Sequence, residues 1–414
     1  MAWGGNGITQ KRTMLDQSAT IAWGSTVTRV PTRALNQVGY LSRMRIKVPV
    51  QATTLTVTAG VSVAAQAAIQ RPAGRGIQSF DITAQGIAPF YQVSKGQDLL
   101  ILEYMNNGKA KWADIGLGLA PDIAPSSPVG ALGRIAISLA EVAYQVAAAA
   151  VNASTAQNVQ YSAVFDVPLT EFVQFPEYTQ QTQNGVVTVP AQEVEVGLVT
   201  LQNTQQNITP RLTMNPLYSG TVDSPFLQTG GAPTGAMNTL VEFYTEFYDV
   251  PASPTDQPPA FSQMFIITRT STDDGVSGTN VTHTFSPAGL LLRAAHCAYD
   301  SNDNLVDISS QGVQAIATYP LPAYVNEGNI TFAWGSTVNK IVERFSHNLA
   351  RALETYGEPP PPGALFLDFF RDRTLTDVVN TAVLPSVRSV ITGLPAAVST
   401  LHTIEERMIP VRMG

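Results

Sequence analysis

The sequence is poor in charged residues. Lys, Arg, Asp and Glu make up 13% of its 414 residues, about half the share in a typical soluble globular protein. The hydrophobic share of 44% is ordinary, so neutral polar residues replace the missing charges. Because neutral polar groups lose less free energy on desolvation than Lys or Glu, this composition favours a chain whose sides are buried against neighbours. A secreted β-protein with a plain polar surface is the alternative.

The chain also has few cysteines and few basic residues. Its single cysteine, Cys297, excludes an internal disulfide, and we expect it to be a small buried hydrophobe. The formal net charge is -7, the opposite of the basic footprint of a nucleic-acid-binding protein. We therefore expect no direct nucleic-acid binding. The glycine-rich start lacks the apolar segment of a signal peptide, so we expect none.

Motifs of catalytic and metal sites are missing from the sequence. The four histidines form no His-x-x-x-His pair and no zinc motif. His296 and Cys297 are adjacent and lie on opposite faces of a predicted strand, which makes them a poor catalytic dyad. No nucleophile elbow, phosphate-binding loop or dinucleotide fingerprint occurs. We therefore expect no enzymatic activity, and we assign no catalytic, cofactor-binding or metal-binding residue.

Two polar clusters have alternative interpretations. The segment 300–304 resembles the start of a calcium loop, but Leu305 and Gln311 stand where that loop needs Gly and Glu, so we favour a polar turn. A second cluster would suit a glycosidase if two of its acids acted as a pair; we favour an ion-pair network at a strand-to-helix junction. Its members are Asp368, Arg371, Asp372, Arg373 and Asp377.

Short stretches of alternating or β-branched residues predict a mainly β fold. Residues 53–58 alternate apolar and polar side chains, as a half-buried strand does. Many short strands with long loops favour sandwiches or barrels over a parallel α/β sheet. The other predicted strands are 40–50, 77–83, 98–104, 163–169, 194–202, 208–214, 240–250, 261–268, 281–285, 290–298, 314–319, 330–334, 364–369, 387–391 and 404–411.

Proline predicts the boundary between two domains. Residues 251–259 contain four prolines, which cannot continue a strand ladder or a helix, so we expect a linker there. It follows an N-terminal arm over 1–34 and a first domain over 35–250. The second domain then covers 260–414.

A few helices are predicted between the strands. An Ala-rich helix over 131–151 inserts into the first domain; its polar residues make it a poor membrane span. A helix over 338–356 belongs to the second domain, and a short one runs from 372 to about 381. The helix over 338–356 carries apolar residues on one face, namely Val338, Ile341, Val342, Phe345, Leu349, Leu353 and Tyr356.

The order of these features resembles that of the double jelly-roll major capsid proteins. This family is found in tailless icosahedral double-stranded-DNA phages and, more distantly, in adenovirus and large eukaryotic DNA viruses. The resemblance covers about 35–412. The segments that carry it are 40–46 (YLSRMRI), 165–170 (FDVPLT), 197–203 (GLVTLQN), 242–251 (EFYTEFYDVP) and 363–368 (GALFLD).

The resemblance implies two eight-stranded jelly-roll barrels in tandem, with long loops and a few helices. Three chains would form a homotrimer with a pseudo-hexagonal outline, and trimers would assemble into an icosahedral virion shell. The implied partners are other copies, further capsid proteins such as a vertex protein, and an internal membrane or its proteins. The chain would be made in the host cytoplasm and reside in the virion.

Two rival functions remain at this point. One is another virion component, such as a spike, a receptor-binding protein or a minor capsid protein, which would share the β-rich and charge-poor composition. The other is a carbohydrate-active β-sandwich enzyme that uses Asp368, Asp372 or another acid. Loss of activity on an Asp→Asn change would favour the enzyme.

Overall fold

A computed structural model gives the fold of most of the chain, and strands dominate it, as predicted. The residues that the structure describes are 11–57, 62–65, 74–84, 89–107, 134–137, 142–146, 155–182, 185–189, 191–201, 207–219, 224–229, 234–250, 260–301, 303, 305–306, 308, 328–335, 340–357, 360 and 363–410.

The first large sheet is antiparallel and lies within the first half of the chain. Its strands are β1 (Lys11–Trp23), β3 (Tyr40–Val57), β7 (Arg134–Ile137), β8 (Val142–Val146), β9 (Thr155–Pro168), β14 (Val199–Thr200) and β18 (Met237–Tyr248). Their order is β1-β18-β3-β9-β8-β7, and β14 also pairs with β3. Along β18 alternate side chains are buried, such as Val241 and Phe243, because one face of the sheet covers the core.

The second large sheet joins the two halves of the chain. Its strands are β2 (Thr28–Arg29), β5 (Ile77–Ala84), β6 (Tyr91–Val93), β15 (Ile208–Met214), β19 (Phe265–Gly275), β21 (Leu290–Tyr299), β24 (Ala364–Asp368), β25 (Val379–Asn380) and β27 (Thr400–Pro410). Their order is β2-β15-β5-β6-β19-β27-β21-β24, and β25 pairs with β21. A short parallel ladder between β6 and β19, with Tyr91 opposite Arg269, links the halves.

A third sheet completes the second half. Its strands are β20 (Asn280–Thr284), β22 (Asn329–Ala333), β23 (Lys340–Arg344) and β26 (Arg388–Thr392), in the order β20-β26-β22-β23.

The strand orders define two tandem jelly rolls. In the second half, β19-β27-β21-β24 joins the first, eighth, third and sixth barrel strands, and β20-β26-β22-β23 joins the second, seventh, fourth and fifth. In the first half, β1-β18-β3-β9 and β2-β15-β5-β6 repeat these two orders. Each half is therefore an eight-stranded jelly roll built from two four-stranded sheets. This confirms the predicted fold class.

Small sheets extend the first barrel. They are formed by β10 (Glu171–Phe175) with β13 (Gln192–Val196), by β11 (Tyr178–Thr182) with β12 (Gly185–Val189), and by β4 (Ser62–Ala65) with β16 (Tyr218–Ser219) and β17 (Phe226–Thr229).

Two helices occupy equivalent places in the barrels. Helix α1 (Gly96–Asn107) connects the fifth and sixth strands of the first barrel, and α3 (Phe345–Tyr356) connects those of the second. A third, short helix, α2 (Ala260–Gln263), precedes the second barrel, and a 3-10 turn covers Gly74–Gly76.

Three predictions about local structure were wrong. Residues 98–104 form part of α1 and not a strand, because the helix is buried on all sides and so shows no amphipathic period. Within 131–151, the described residues form β7 and β8, since pairing beside β9 overrides the helix propensity of Ala. The described residues from 372 to 381 form turns and the short β25 in place of a helix.

Two boundaries also differ from the predictions. Most of the predicted arm over 1–34 is structured, because β1 pairs with β18 along its whole length. The helix predicted over 338–356 begins only at Phe345, since the β-branched Ile341 and Val342 belong to β23, which pairs with β22. The predicted linker 251–259 and the predicted strand 314–319 lie outside the described residues.

Candidate functional site

The junction between the barrels is built on strands that are buried on both faces. In β21, Cys297 packs in the core of the first barrel, while Ala294 and Ala298 pack in the core of the second. In β27, Ile404 packs in the core of the first barrel and Leu401 packs in the core of the second. These strands therefore form a wall shared by the two barrels. Cys297 is buried there, as predicted.

Four buried charges meet at this wall. The Nη2 atom of Arg269, on β19, donates to Glu171 at 2.8 Å, and its Nε donates to Glu406 at 3.0 Å. The Nη1 atom of Arg293, on β21, donates to Glu406 at 2.9 Å and lies 3.4 Å from Glu171. The four side chains bring two guanidinium groups and two carboxyl groups together in a buried region, so each arginine has an acidic partner.

This cluster crosses the boundary between the barrels. Glu171 lies on β10, which follows the first barrel's sixth strand, whereas Arg269, Arg293 and Glu406 belong to the second barrel. Arg269 also donates to the carbonyl oxygen of Pro168 at 2.6 Å. Separating the barrels would expose these charges to solvent or leave them without partners. A buried charge without a partner destabilises the fold by several kcal/mol.

The two acids of the cluster differ in their proton affinity. Burial and the nearby Glu406 carboxylate raise the pKa of Glu171 to about 7. Burial opposes the charge of Glu406 too, but Arg269 and Arg293 lower the pKa of Glu406 below its usual value. Glu406 is therefore the acid that stays ionised between the two arginines at neutral pH.

A histidine forms a second bridge between the barrels. Nε2 of His402, on β27, lies 2.8 Å from Oδ1 of Asp98 in α1, and Nδ1 contacts Asp273 on β19. Burial disfavours the imidazolium, but the two carboxylates raise the pKa of His402 to about 9. His402 is thus positively charged at neutral pH. Asp98 lies in the first turn of α1, where the helix dipole also favours a carboxylate.

A third buried polar group lies within the second barrel. His283 hydrogen-bonds Asp274 through Nδ1 at 2.6 Å and Glu405 through Nε2 at 2.7 Å. Burial opposes its charge, but Glu405 and Asp274 raise the pKa of His283. Its neighbour His296 hydrogen-bonds Thr403 and Ser389, and burial together with His283 lowers its pKa well below the usual value. His296 is therefore neutral and structural.

The predicted acidic cluster is only partly brought together. Asp368 accepts hydrogen bonds from the Tyr356 hydroxyl and the Phe370 backbone N–H, each at 2.9 Å, and lies 3.6 Å from Nε of Arg293. Asp368 thus extends the junction network through Arg293, a residue outside the predicted cluster. Arg373 pairs instead with Glu193 at 3.3 Å. The remaining members, Arg371, Asp372 and Asp377, are exposed.

The polar segment after β21 also contacts the first barrel. Asp303 pairs with Lys95, and its backbone carbonyl accepts a hydrogen bond from Arg75 at 2.7 Å. This carboxylate is thus engaged with a lysine. Within the described ranges, no group of three or more His, Cys, Asp or Glu side chains is placed to hold a metal ion. The same part of the chain holds no helix with the length and apolar character of a membrane span.

Sequence patterns did not reveal this junction. The pattern of His402–Arg407 predicts only part of a strand, yet the segment has four titratable residues within six positions of a charge-poor chain. Such a run inside a predicted buried strand is a signal that could have indicated paired internal charges.

Comparisons with known proteins address the fold. The sequence matches no protein-family model and no curated protein. Among solved structures, the major capsid protein (MCP) of Sulfolobus Turreted Icosahedral Virus (STIV) is similar, with a TM-score of 0.54 and 14% identity over 97% of both chains. The chain has the double jelly-roll fold of a viral major capsid protein.

Two further solved structures agree with this result. A second STIV structure has a TM-score of 0.53 at 13% identity, over 98% of this chain and 91% of that one. VP54 of the virus PBCV-1, as fitted into a reconstruction of the virophage Sputnik, has a TM-score of 0.50 at 10% identity, over 97% of this chain and 94% of that one. The double jelly-roll fold thus extends over nearly the whole chain.

Proposed function

We propose that this chain is a major capsid protein whose copies assemble as pseudo-hexagonal homotrimers into an icosahedral virion shell. The observation that carries this proposal is the match of both barrels, in tandem, to the STIV MCP over 97% of each chain. A match of one barrel alone would carry much less, because single jelly rolls occur in many unrelated proteins.

The junction supports this function physically. A shell tile must keep its shape under load, so its barrels must not move against each other. Here the barrels share the wall of β21 and β27, and buried charge pairs span the boundary at Arg269–Glu171 and His402–Asp98. Any rotation of one barrel against the other would break these pairs while the side chains are buried.

The charge-poor composition also supports assembly. The chain has 13% charged residues, and neutral polar side chains are buried at lower cost than charged ones. Jelly rolls leave short strand edges that can be covered by neighbours. On this proposal the role is structural and not catalytic, and the buried histidines and acids serve the fold.

The wider setting is part of the same proposal. The partners are further copies of the chain, other capsid proteins such as a vertex protein, and an internal membrane or its proteins. The chain is made in the host cytoplasm and resides in the virion. The net charge of -7 argues against direct binding of the genome by this chain.

Light scattering on the purified protein tests the proposal. The chain mass is 44.2 kDa, so a homotrimer has three times that mass. We expect a stable trimer whose mass does not change on dilution through the micromolar range. A particle with the mass of one chain at all concentrations would contradict the proposal.

A further inference from the structure

The fifth strand of the first barrel is covered from within the chain. Strand β6 pairs in parallel with β19, the first strand of the second barrel, and the side chains of Tyr91 and Val93 are fully buried. Helix α1, which follows β6, is buried from Gly96 to Met105. The second barrel supplies this cover, for example through Tyr356, which packs on Tyr104 of α1.

The equivalent face of the second barrel is not covered by the described residues. In the described part of the chain, β23 is the outer strand of its sheet. Its adjacent apolar residues Ile341 and Val342, which point to opposite faces, are 55% and 53% exposed. Helix α3 follows β23 as α1 follows β6, but its Leu353 is 45% exposed. A face that is buried in the first barrel is thus left uncovered in the second.

The first strand of the first barrel is exposed where the equivalent strand of the second barrel is buried. Strand β1 corresponds to β19, in which Ile267, Thr268 and Arg269 are buried. Arg269 donates to Pro168 and Glu171 from the first half of the chain. The first five residues of β1, 11–15, are mostly exposed on both faces, and Leu15 is 45% exposed. Among the described strands, β1 has a partner on one side only, β18. Among the described strands, each chain therefore has one unpaired fifth-strand edge and one unpaired first-strand edge.

We propose that β23 of one copy packs beside residues 11–15 of β1 in the next copy, in the way that β6 packs beside β19 inside the chain. This inference rests on the proposed function and names its subunit interface. The occupant is a second copy because the chain itself already joins one such pair of edges. The contact is head-to-tail, so it repeats around a ring and closes when the rotation allows; three copies supply six barrels joined by six similar contacts.

Burial of these two strand edges in an interface is energetically favourable. Exposed strand edges with apolar side chains pair readily with other chains. Ile341, Val342 and Leu15 lose contact with water in the proposed interface, and burial of apolar surface drives association. A charge placed at Val342 would have to be desolvated there, which disfavours the contact.

A pair of matched substitutions tests the interface. Val342→Asp changes the proposed contact, and Val383→Asp makes the same change at a valine that is 72% exposed in a turn outside it. We expect Val342→Asp to reduce the mass measured by light scattering from three chains to one, with an unchanged circular dichroism spectrum, and Val383→Asp to remain trimeric.

The outcomes separate this interface from the proposed function. If the unsubstituted protein is a monomer, the proposed function and the interface both fail. If the unsubstituted protein is a trimer and Val342→Asp is a trimer of equal stability on dilution, the interface is wrong and the proposed function stands.

A cross-linking experiment covers the case in which Val342→Asp fails to fold. Leu15→Cys combined with Val342→Cys should give, on oxidation of the trimer, covalent species of two and three chains on denaturing gels. Leu15→Cys combined with Val383→Cys is the control and should stay at one chain. Trimers in which the first pair cross-links no better than the control would overturn the interface.

Discussion

Nε2 of His402 lies 2.8 Å from Oδ1 of Asp98, and the two residues belong to different barrels. Both side chains are fully buried. Asp273 contacts the other ring nitrogen, so the imidazole is held between two carboxylates at the boundary. Protonation of this one ring therefore affects how firmly the barrels hold together.

The stability of the protein should fall as the solution becomes alkaline. The carboxylates raise the pKa of His402 to about 9, above the usual value of about 6.5. A raised pKa means that the contribution of His402 is fully present below about pH 6.5 and is lost as the pH rises through about 9. Urea unfolding at pH 6 to 10, at one protein concentration, measures this loss.

Two variants show whether His402 causes the decline in stability with pH. His402→Gln should be less stable at pH 6 and should flatten the decline between pH 6.5 and 9. His347→Gln, at an exposed histidine on α3, should keep the decline of the unsubstituted protein. An identical decline in His402→Gln would show that another group is responsible.

Loss of one arginine at the junction should destabilise the fold strongly. Arg269→Met keeps a similar length but leaves Glu171 and Glu406 short of a positive partner. Breaking a buried ion pair in this way costs about 3–5 kcal/mol. Urea unfolding followed by tryptophan fluorescence measures the change in the free energy of unfolding.

The matched control is Arg373→Met. Arg373 pairs with Glu193 at 3.3 Å, but its side chain is almost half exposed, and such surface pairs are worth about 0–1 kcal/mol. Equal effects of the two substitutions would mean that the junction charges contribute no more than a surface pair.

The close approach at the start of α1 predicts a requirement for glycine. A Cβ atom on Gly96 would lie 2.1 Å from the carbonyl oxygen of Gly74 and 2.6 Å from Cβ of Ile77. Because neither neighbour is the flexible end of a long side chain, Gly96→Ala should cost about 1–3 kcal/mol through overpacking. Gly275 has no atom within 4 Å of such a Cβ, so Gly275→Ala should change the stability by less than about 1 kcal/mol.

Thermal unfolding of the two alanine variants, side by side, measures this difference. A Gly96→Ala protein as stable as Gly275→Ala would show that α1 sits less tightly against the 3-10 turn than the structure has it.

Local patterns in the sequence predicted most of the barrel strands. Strands such as β15 and β18 have one buried face, so their side chains alternate, and the alternation is visible without a structure. The pattern failed where burial is complete. Residues 98–104 are apolar on all sides in α1, and an apolar run of that length fits a strand equally well.

The junction was harder to predict than the fold. Glu171, Arg269 and Glu406 are far apart in the sequence and meet only when the barrels dock. The open edges at β1 and β23 have the same origin, since exposure of Leu15 and Val342 depends on which strand pairs with which. Pairing between distant strands is a property of the topology and leaves no local pattern.

Electron microscopy of the assembled protein tests the central claim most directly. Averaged images of single particles in negative stain should show a hexagonal tile with six lobes around a central axis, which correspond to the six barrels of three chains. Tiles should join into sheets or shells at high concentration. Two-lobed particles that never form a ring, at any concentration, would contradict the account of this chain as a capsid subunit.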